Sequence, residues 1–231
     1  MTGFVAAAAL VLVGAVVATL VEGVRRGDTS ATVNAAASLG AALLPIGLGI
    51  VEGWPGPTAS VVPELTAWVA LAGFLHSLGM LGLYESVGWW DHLTHFVSGA
   101  LVAALVYAGF LVLGQDGTGF EPSRETAATL TVLFSMAVGV CWELVELVAR
   151  DVGERFDVDP VLVHYGWRDT AFDLAFDFVG ALAVVVLDVR LFVALADRSA
   201  GTTRTALVAG GATLVLGSAA MAASVRFDAG G

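Results

Sequence analysis

The sequence predicts an all-α membrane protein, a polytopic bundle of about seven transmembrane helices. Its 231 residues are 58% hydrophobic and 13% charged, with a mean hydropathy of +0.86. Soluble domains lie near 45–50% apolar and about 25% charged. Several apolar runs approach the roughly 20 residues that a helix needs to cross a hydrocarbon core of about 30 Å. Backbone N–H and C=O groups in lipid must form their hydrogen bonds within the protein, which only helices and closed barrels allow. The sequence has no extended alternation of apolar and polar residues of the kind that membrane barrels show, so these runs are predicted as helices.

The predicted helices follow one another with short connectors in which Gly, Pro and Asp mark turns. The first predicted helix has no basic segment before it and is long enough to span the membrane. We therefore expect an uncleaved helix rather than a signal peptide. No repeat or second domain is evident, which predicts one integral membrane domain over 1–231, multi-pass in the cell (plasma) membrane. The predicted helices are 3–24, 31–51, 64–86, 91–113, 126–149, 169–194 and 205–225.

The charge balance is strongly acidic. The net charge is −11, and all ten basic residues are arginine. A lysine-free, acidic chain is typical of a halophile proteome, which concerns habitat rather than function. Nucleic-acid binding requires clustered Lys and Arg, so no nucleic-acid partner is expected. The single cysteine, Cys141, excludes an intrachain disulfide and is interpreted as a small core residue.

Acidic and histidine side chains recur at one end of three predicted helices. The fourth helix begins, the fifth ends and the sixth begins on the same side of the membrane. All these side chains are therefore expected in the same half of the bilayer, and spacings of three or four residues put those of each helix on one face. They are Asp91 and His95 on the fourth helix, Glu143 and Glu146 on the fifth, and Asp169, Asp173 and Asp177 on the sixth.

These side chains require a compensating charge. A charge at the centre of a transmembrane helix costs about 2.5–3.5 kcal/mol, so such groups face inward and are protonated, paired or bound to a cation. Oxygen ligands with a histidine suit Mg²⁺, Mn²⁺, Fe²⁺ or Zn²⁺. We therefore predict that the seven residues hold a divalent metal ion. Glu143 and Asp173 are the candidate catalytic residues, either of them as a general base.

Some of these residues also have simpler interpretations. Asp169 suits the start of a helix, where the macrodipole favours an acid. Glu146 is one turn from Arg150 and can pair with it. His95 can be a hydrogen-bonded core histidine. His76, a lone polar residue in the middle of the third predicted helix, is interpreted as a packing hydrogen bond.

Other residues near these helices have structural interpretations. Gly99, Gly139 and Gly180 accompany the acidic residues and permit close helix packing. Asp188 and Arg190 are expected to pair or to extend towards the interface on the opposite side. Asn34, in the second predicted helix, begins on the side of the acidic residues and is a further candidate contributor.

Three segments carry a family resemblance: THFVSGA, WELVELV and WRDTAFDLAFDFVGA. Over about 84–182 they resemble the signatures of the YjdF-like bacterial inner-membrane proteins, and this stretch is the predicted motif-bearing core. Arg168 after Trp167 and the extra acid Asp177 depart from that pattern. The resemblance implies a multi-pass fold and supports Asp91, His95, Glu143, Glu146, Asp169 and Asp173 as important residues. It implies no reaction. A more distant likeness to VanZ-like proteins hints at cell-envelope lipids.

Three functions remain open from the sequence. The first is a metal-dependent membrane enzyme acting on a lipid or polyprenyl-linked head group, with membrane lipids as partners. The second is a proton or cation transporter, because carboxylate chains within membranes serve as proton relays. The apolar stretches LVAALVYAGFLVL and GALAVVVL on the far half of the helices disfavour that reading. The third is a non-catalytic structural or resistance factor of the envelope.

Overall fold

The computed structural model describes residues 2–51, 56–113, 122–158, 160–162, 165–198 and 200–228. Every regular element in these ranges is helical, which confirms the all-α prediction. The chain divides into two compact units, Met1–Thr94 and His95–Gly231. This division does not test whether 1–231 is one membrane domain, which stays a prediction.

The first unit contains three long helices that pack on one another, α1 (Thr2–Arg26), α2 (Thr29–Val51) and α3 (Gly56–Leu78). A tight turn joins α1 to α2. Gly27 adopts a φ of 69°, which glycine tolerates without steric cost. Asp28 then begins α2, because its Oδ1 accepts a hydrogen bond of 2.9 Å from the backbone N–H of Ala31.

A π-helical segment, Gly79–Leu83, follows α3 and leads into the single turn α4 (Tyr84–Ser86). Gly82 has a φ of 119°, a conformation that other residues rarely adopt. Gly79 lies against the ring of Tyr84, and a Cβ atom at residue 79 would overlap that ring. The two glycines therefore allow the irregular backbone and the position of the tyrosine. π-helical turns are rare and frequently occur at functional sites.

The remaining helices are α5 (Trp90–Leu113), α6 (Arg124–Phe156), α7 (Trp167–Val186), α8 (Val193–Asp197) and α9 (Ala200–Asp228). The first turn of α5 belongs to the first unit and the rest of this unbroken helix to the second. Ser123 caps α6, because its hydroxyl accepts a hydrogen bond from the N–H of Thr126 at 3.2 Å. In the second unit α6 packs against both α7 and α9.

Helices α5 and α7 run in the same direction within the second unit. Gly180 lies against the backbone of Phe96, and further along both helices the Tyr107 hydroxyl reaches Asp188 just beyond α7. Such parallel neighbours require an intervening helix of opposite direction, which is α6. This arrangement confirms the expectation that the start of α5, the end of α6 and the start of α7 lie on the same side of the helices.

Among the described residues, six helices are long and apolar enough to cross a membrane, which is close to the predicted number of about seven. They are Gly3–Arg26, Thr29–Ile50, Val62–Ser86, Trp90–Leu113, Arg124–Phe156 and Ala200–Ser224. Helix α7 is not among them, although its 20 residues extend about 30 Å. It carries three carboxylates, Asp169, Asp173 and Asp177, whereas the most apolar stretch of each of the six has at most two charged residues.

Several predicted boundaries differ from the structure. The third predicted helix begins at 64, whereas α3 begins at Gly56, and the seventh begins at 205, whereas α9 begins at Ala200. The sixth predicted helix extends to residue 194, whereas α7 ends at Val186, and Asp188 then takes a left-handed φ of 53°. The fifth predicted helix ends at 149, whereas α6 continues to Phe156. The charged residues that suggested a connector there lie on a last, exposed part of α6 and do not interrupt its hydrogen bonds.

Candidate metal centre

Three glycines allow α5, α6 and α7 to approach closely at one place. A Cβ atom on Gly99 would lie 2.9 Å from the Cα of Asp177, and one on Gly139 would lie 2.5 Å from Oδ2 of the same aspartate. A Cβ atom on Gly180 would lie 2.5 Å from the carbonyl oxygen of Phe96. Contacts this close exclude any larger residue without a shift of the helices. The predicted role of these glycines in close packing is therefore confirmed.

His95 lies between two aspartates of α7. Its Nδ1 is 3.3 Å from Oδ1 of Asp177, and its Nε2 is 4.0 Å from Oδ1 of Asp173. The three side chains are 12%, 8% and 3% exposed, respectively. The two ring nitrogens therefore face different carboxylates in an almost fully buried setting. A buried histidine in this arrangement has its tautomer and orientation fixed by its partners.

Asp91 adds a third ligand group one turn before His95. The two residues lie on the same unbroken helix, so α5 itself fixes their spacing. Asp91, His95 and Asp173 each offer one ligand atom, and these three atoms lie within 4.8 Å of one another. Ligands held about 2.0–2.2 Å from a metal ion lie roughly 3–4 Å apart, so a small contraction would complete the coordination. Two carboxylates and an imidazole suit a divalent ion of the Mg²⁺ to Zn²⁺ range.

Glu143 is buried beside this group without hydrogen bonds. It is 4% exposed, and within the described ranges neither carboxylate oxygen has a hydrogen-bond partner. The hydroxyl of Thr170 is close enough to interact with the carboxylate, but its geometry falls short of a hydrogen bond. His95, Asp177 and Asp169 also act on Glu143 electrostatically. A buried carboxylate without hydrogen bonds is costly, so a proton or a cation must offset its charge.

Two predicted ligands take other positions. Glu146 accepts a hydrogen bond of 2.8 Å from the indole Nε1 of Trp142 on the exposed side of α6. Asp169 is half-buried in the first turn of α7, where its charge is favourable for the helix dipole. Neither belongs to the group of three ligand atoms. The pairing of Glu146 with Arg150 stays a prediction; the Arg150 guanidinium contacts Asp151 at 2.7 Å and Glu154 at 3.7 Å.

The seven predicted residues are thus not equivalent. The structure brings together Asp91, His95 and Asp173, surrounds them with Asp177 and Glu143, and leaves Asp169 and Glu146 further out. Whether any of them binds a metal or reacts stays a prediction.

A second polar cluster, which the sequence only partly indicated, lies where α5 and α7 end. The Asp188 Oδ1 accepts hydrogen bonds from the Tyr107 hydroxyl at 2.9 Å and from Arg190 Nε at 3.0 Å. Arg124 Nη2 lies 3.4 Å from Asp188 Oδ2. The predicted pairing of Asp188 with Arg190 is confirmed. The fully buried Tyr107 carried no sequence signal, because it stands alone among apolar residues.

The fold and the buried Asp/His group define a multi-pass α-helical membrane protein with ionisable residues gathered between its helices. The chain belongs to the predicted membrane protein family DUF2238, whose model matches residues 7–194. That match is consistent with the resemblance to YjdF-like membrane proteins and does not extend to VanZ-like proteins. No curated protein matches the chain. No solved structure matches it either.

Proposed function

We propose that this protein is a divalent-cation-dependent enzyme of the cell membrane that acts on a lipid or polyprenyl-linked head group. The observation that carries the proposal is the convergence of three ligand atoms, from Asp91, His95 and Asp173, within 4.8 Å of one another. The unsatisfied oxygens of Glu143 beside them support it, because they too require a cation or a proton.

Asp91, His95 and Asp173 would hold the ion, and Asp177 would orient the histidine. The Nε2 of His95 faces Asp173, while its Nδ1 is within hydrogen-bond distance of Asp177. An imidazole that donates one N–H to a carboxylate presents its other nitrogen to a metal in a fixed orientation. Asp177 is therefore assigned a supporting role rather than a ligand role.

Glu143 is the best candidate for a general base. Its carboxylate is buried and has no hydrogen bond in the described part of the chain, so its oxygens are available to accept a proton. A bound divalent cation would polarise a phosphoryl oxygen or lower the pKa of a bound water. Thr170, whose hydroxyl is also buried without a hydrogen bond, can donate to Glu143 or to a substrate oxygen.

The depth of the site supports a substrate with a reactive head group. His95 is five residues inside α5 and Asp173 six residues inside α7, about 7–9 Å from the helix starts. Trp89 and Trp167, at those starts, are 59% and 75% exposed, as expected of aromatic residues at a membrane–water interface. A head group at the interface would lie one to two turns above the ligand atoms.

The ionisable side chains of the site do not continue across the helices, which disfavours a transporter. Between Asp177 and Asp188, α7 and the residue that follows it carry only apolar side chains and glycine. The adjoining part of α5 is buried and apolar at Ala103, Ala104 and Val106. On α6 the buried polar residues of this stretch are Thr131 and Ser135, and neither is ionisable.

Metal content of the purified full-length protein tests the proposal. We expect about one divalent ion per chain by inductively coupled plasma mass spectrometry, with at least a tenfold loss of affinity in His95→Ala and in Asp173→Ala. Glu143→Gln and its matched control on the exposed side of α6, Glu146→Gln, are both expected to keep the ion. A folded wild type that binds no divalent ion at millimolar concentration would overturn the proposal.

A further inference from the structure

An open apolar groove lies in the second unit, between the end of α5 and the first halves of α6 and α9. Its volume is about 450 Å³. Phe110 of α5, Phe134 of α6 and Leu207 of α9 form its walls, and the other described residues that line it are apolar or glycine. The exception is Arg204, in the second turn of α9, which is the one charged residue of this described lining. The groove therefore combines apolar walls with a single positive charge.

Close helix contacts form the groove. Phe110 and Phe134 pack edge to face, with ring centroids 6.5 Å apart, and this pair joins α5 to α6. Helix α9 approaches α5 at Gly109, where a Cβ atom would lie 2.9 Å from Cδ1 of Leu207. Helix α9 passes Phe134 at Gly211, where a Cβ atom would lie 3.5 Å from the ring, an ordinary contact distance. Glycine at residue 211 thus contributes no side chain to fill the groove.

The guanidinium of Arg204 has no carboxylate beside it. Arg124 and Arg190, at the same end of the second unit, both contact Asp188, at 3.4 Å and 3.0 Å. Arg204 is exposed and makes no ion pair or hydrogen bond with the part of the chain that the structure describes. Asp197, the last residue of α8, is exposed and is not paired with it either. The charge of Arg204 is therefore available to an external anion.

Arg204 lies at the depth that lipid head groups occupy. The helix Ala200–Ser224 is long and apolar enough to cross a membrane. Arg204 is four residues from its start, about 6 Å, and Gly211 is seven residues further, about 10 Å deeper. The hydroxyl of Thr203 donates to the carbonyl of Ala196 at 2.8 Å, which holds the start of α9 against α8. The groove therefore extends from the level of the head groups into the hydrocarbon core.

We propose that the groove binds one anionic phospholipid, with an acyl chain against Phe110, Phe134 and Leu207 and its phosphate on Arg204. An open apolar groove within a bilayer is filled by hydrocarbon, since the bilayer core contains no water. A planar guanidinium donates two parallel hydrogen bonds to a phosphate, which fixes the head group at the mouth of the groove. A zwitterionic lipid carries a cation of its own beside the phosphate, and an arginine repels that cation. The groove therefore selects a lipid with a net negative charge.

The charges of α9 disfavour a second copy of the chain as the occupant. Val208, Val215 and Leu216 are 66%, 67% and 70% exposed, so α9 has an apolar face that another α9 could cover. Within Ala200–Ser224, however, Arg204 is the only charged residue. Two α9 helices packed on each other would take both guanidinium groups out of water without supplying an anion, which is costly. An anionic lipid supplies the negative charge together with the apolar contact.

The groove is separate from the candidate metal centre. Phe110 follows His95 by fifteen residues of the unbroken helix α5, which corresponds to about 22 Å. Helix α9 also lies beyond residues 7–194, which the family model matches. The bound lipid is accordingly a ligand that occupies a second site and not the substrate of the first. This proposal does not depend on the proposed function.

Native mass spectrometry of the delipidated full-length protein tests lipid selection. The probes are dioleoylphosphatidylglycerol, which is anionic, and dioleoylphosphatidylcholine, which has the same acyl chains and no net charge. We expect the wild type to bind one phosphatidylglycerol more tightly than one phosphatidylcholine. Arg204→Gln should weaken phosphatidylglycerol binding about tenfold and remove the preference, because it takes away charge-assisted hydrogen bonds. Arg155→Gln, at an exposed arginine in the last turn of α6, is the charge-matched control and should leave both affinities unchanged.

A second pair of variants tests the acyl-chain contact. Gly211→Leu places a side chain in the groove and should weaken the binding of both lipids. The contact distance of 3.5 Å between the new Cβ and Phe134 requires no shift of the helix, so the variant should keep its thermal midpoint in the absence of added lipid. Gly217→Leu, on the same helix with no atom within 4 Å of the new Cβ, is its control and should bind both lipids as the wild type does.

Three outcomes would overturn the proposal. The first is equal affinity of the wild type for the two lipids, and the second is unchanged phosphatidylglycerol binding in Arg204→Gln. The third is a dimer that Gly211→Leu dissociates, which would assign the groove to a second copy of the chain. All three are measured without a metal ion, so a failure of the proposed function would leave the lipid result unchanged.

Discussion

Helices α5 and α7 share two polar clusters, one where they begin and one where they end, and the two are balanced differently. At the end, Asp188 meets Arg190, Arg124 and the Tyr107 hydroxyl. At the beginning, no arginine lies within ion-pair distance of Asp177 in the described ranges, and Glu143 has no hydrogen bond there. The same two helices therefore carry a neutralised acid at one end and an excess of acid at the other.

This difference indicates what the first cluster requires. Arginine satisfies an acid in this bundle where structure alone is needed, as at Asp188. Buried acids without such a partner are destabilising unless another cation or a proton offsets them. The acid around His95 therefore requires a cation or protons in place of the arginines that serve Asp188.

The largest expected effect follows from adding a side chain at the close contact between α5 and α7. In Gly180→Ala, the new Cβ would lie 2.5 Å from the Phe96 carbonyl oxygen and 2.9 Å from the Ala100 nitrogen. Backbone atoms cannot rotate away, so α5 and α7 must separate, at a cost of about 1–3 kcal/mol. We expect a lower thermal midpoint and a lower metal content. Gly217→Ala, on α9 with no atom within 4 Å of the new Cβ, is the control and should match the wild type.

Neutralising one acid in each cluster should change stability in opposite directions. In chelator-treated protein, Asp177→Asn removes one like charge from the excess and should raise the free energy of unfolding by about 0.5 kcal/mol. Asp188→Asn leaves two guanidinium groups without their carboxylate and should lower it. Asparagine tolerates the left-handed backbone of residue 188, so the change tests charge rather than conformation. Thermal unfolding of both variants in the same detergent measures the two changes in stability. If both variants were stabilised, or both destabilised, the proposed difference between the two clusters would be contradicted.

The smallest expected effect is a pH dependence at the balanced cluster. Hydrogen bonds from Arg190 and Tyr107 lower the pKa of Asp188 below its usual value. A lowered acid pKa stabilises the folded state above the unfolded pKa of about 3.9, and this contribution is lost as the pH falls through the lower, folded pKa. The difference in thermal midpoint between wild type and Asp188→Asn should thus be constant from pH 7 to 5 and shrink below about pH 4.

A companion variant sharpens that measurement. Tyr107→Phe removes one of the two hydrogen bonds that lower the pKa of Asp188. The folded pKa is then closer to the unfolded one, so less stability is present at neutral pH. Its loss still begins near the unfolded pKa but is complete at a higher pH. A profile identical to that of the wild type would show that the tyrosine does not stabilise the carboxylate.

Helix periodicity and helix direction sufficed to predict most of the site from the sequence. We expected the start of α5, the end of α6 and the start of α7 on the same side, which places His95, Glu143 and Asp177 together. The structure confirms that these three residues are close to one another. Spacing could not separate Glu143 from Glu146. Residues three apart differ by about 60° around a helix, and only the position of α7 decides which of the two is buried.

The first unit was harder to predict, because its polar contacts join residues far apart in sequence. His76 Nε2 is 3.1 Å from Oδ1 of Asn34, 42 residues away, which confirms that His76 is hydrogen-bonded within the packing. The buried Thr94 was not singled out at all. A threonine in an apolar helix is compatible with lipid and carries no signal of its own. The π-helical segment also escaped prediction, since GMLGL fits a regular transmembrane helix in composition.

The π-helical segment has a consequence for how this chain tolerates changes in length. The helical path is broken within this segment, because Gly82 has a φ of 119°, outside the helical region. Deleting a single residue from Gly79–Leu83 would rotate Tyr84 by about 100° relative to His76 and remove their 2.6 Å contact. Most shortening in proteins is absorbed by loops. At this position, by contrast, a chain shorter by one residue would lose the contact between the histidine and the tyrosine.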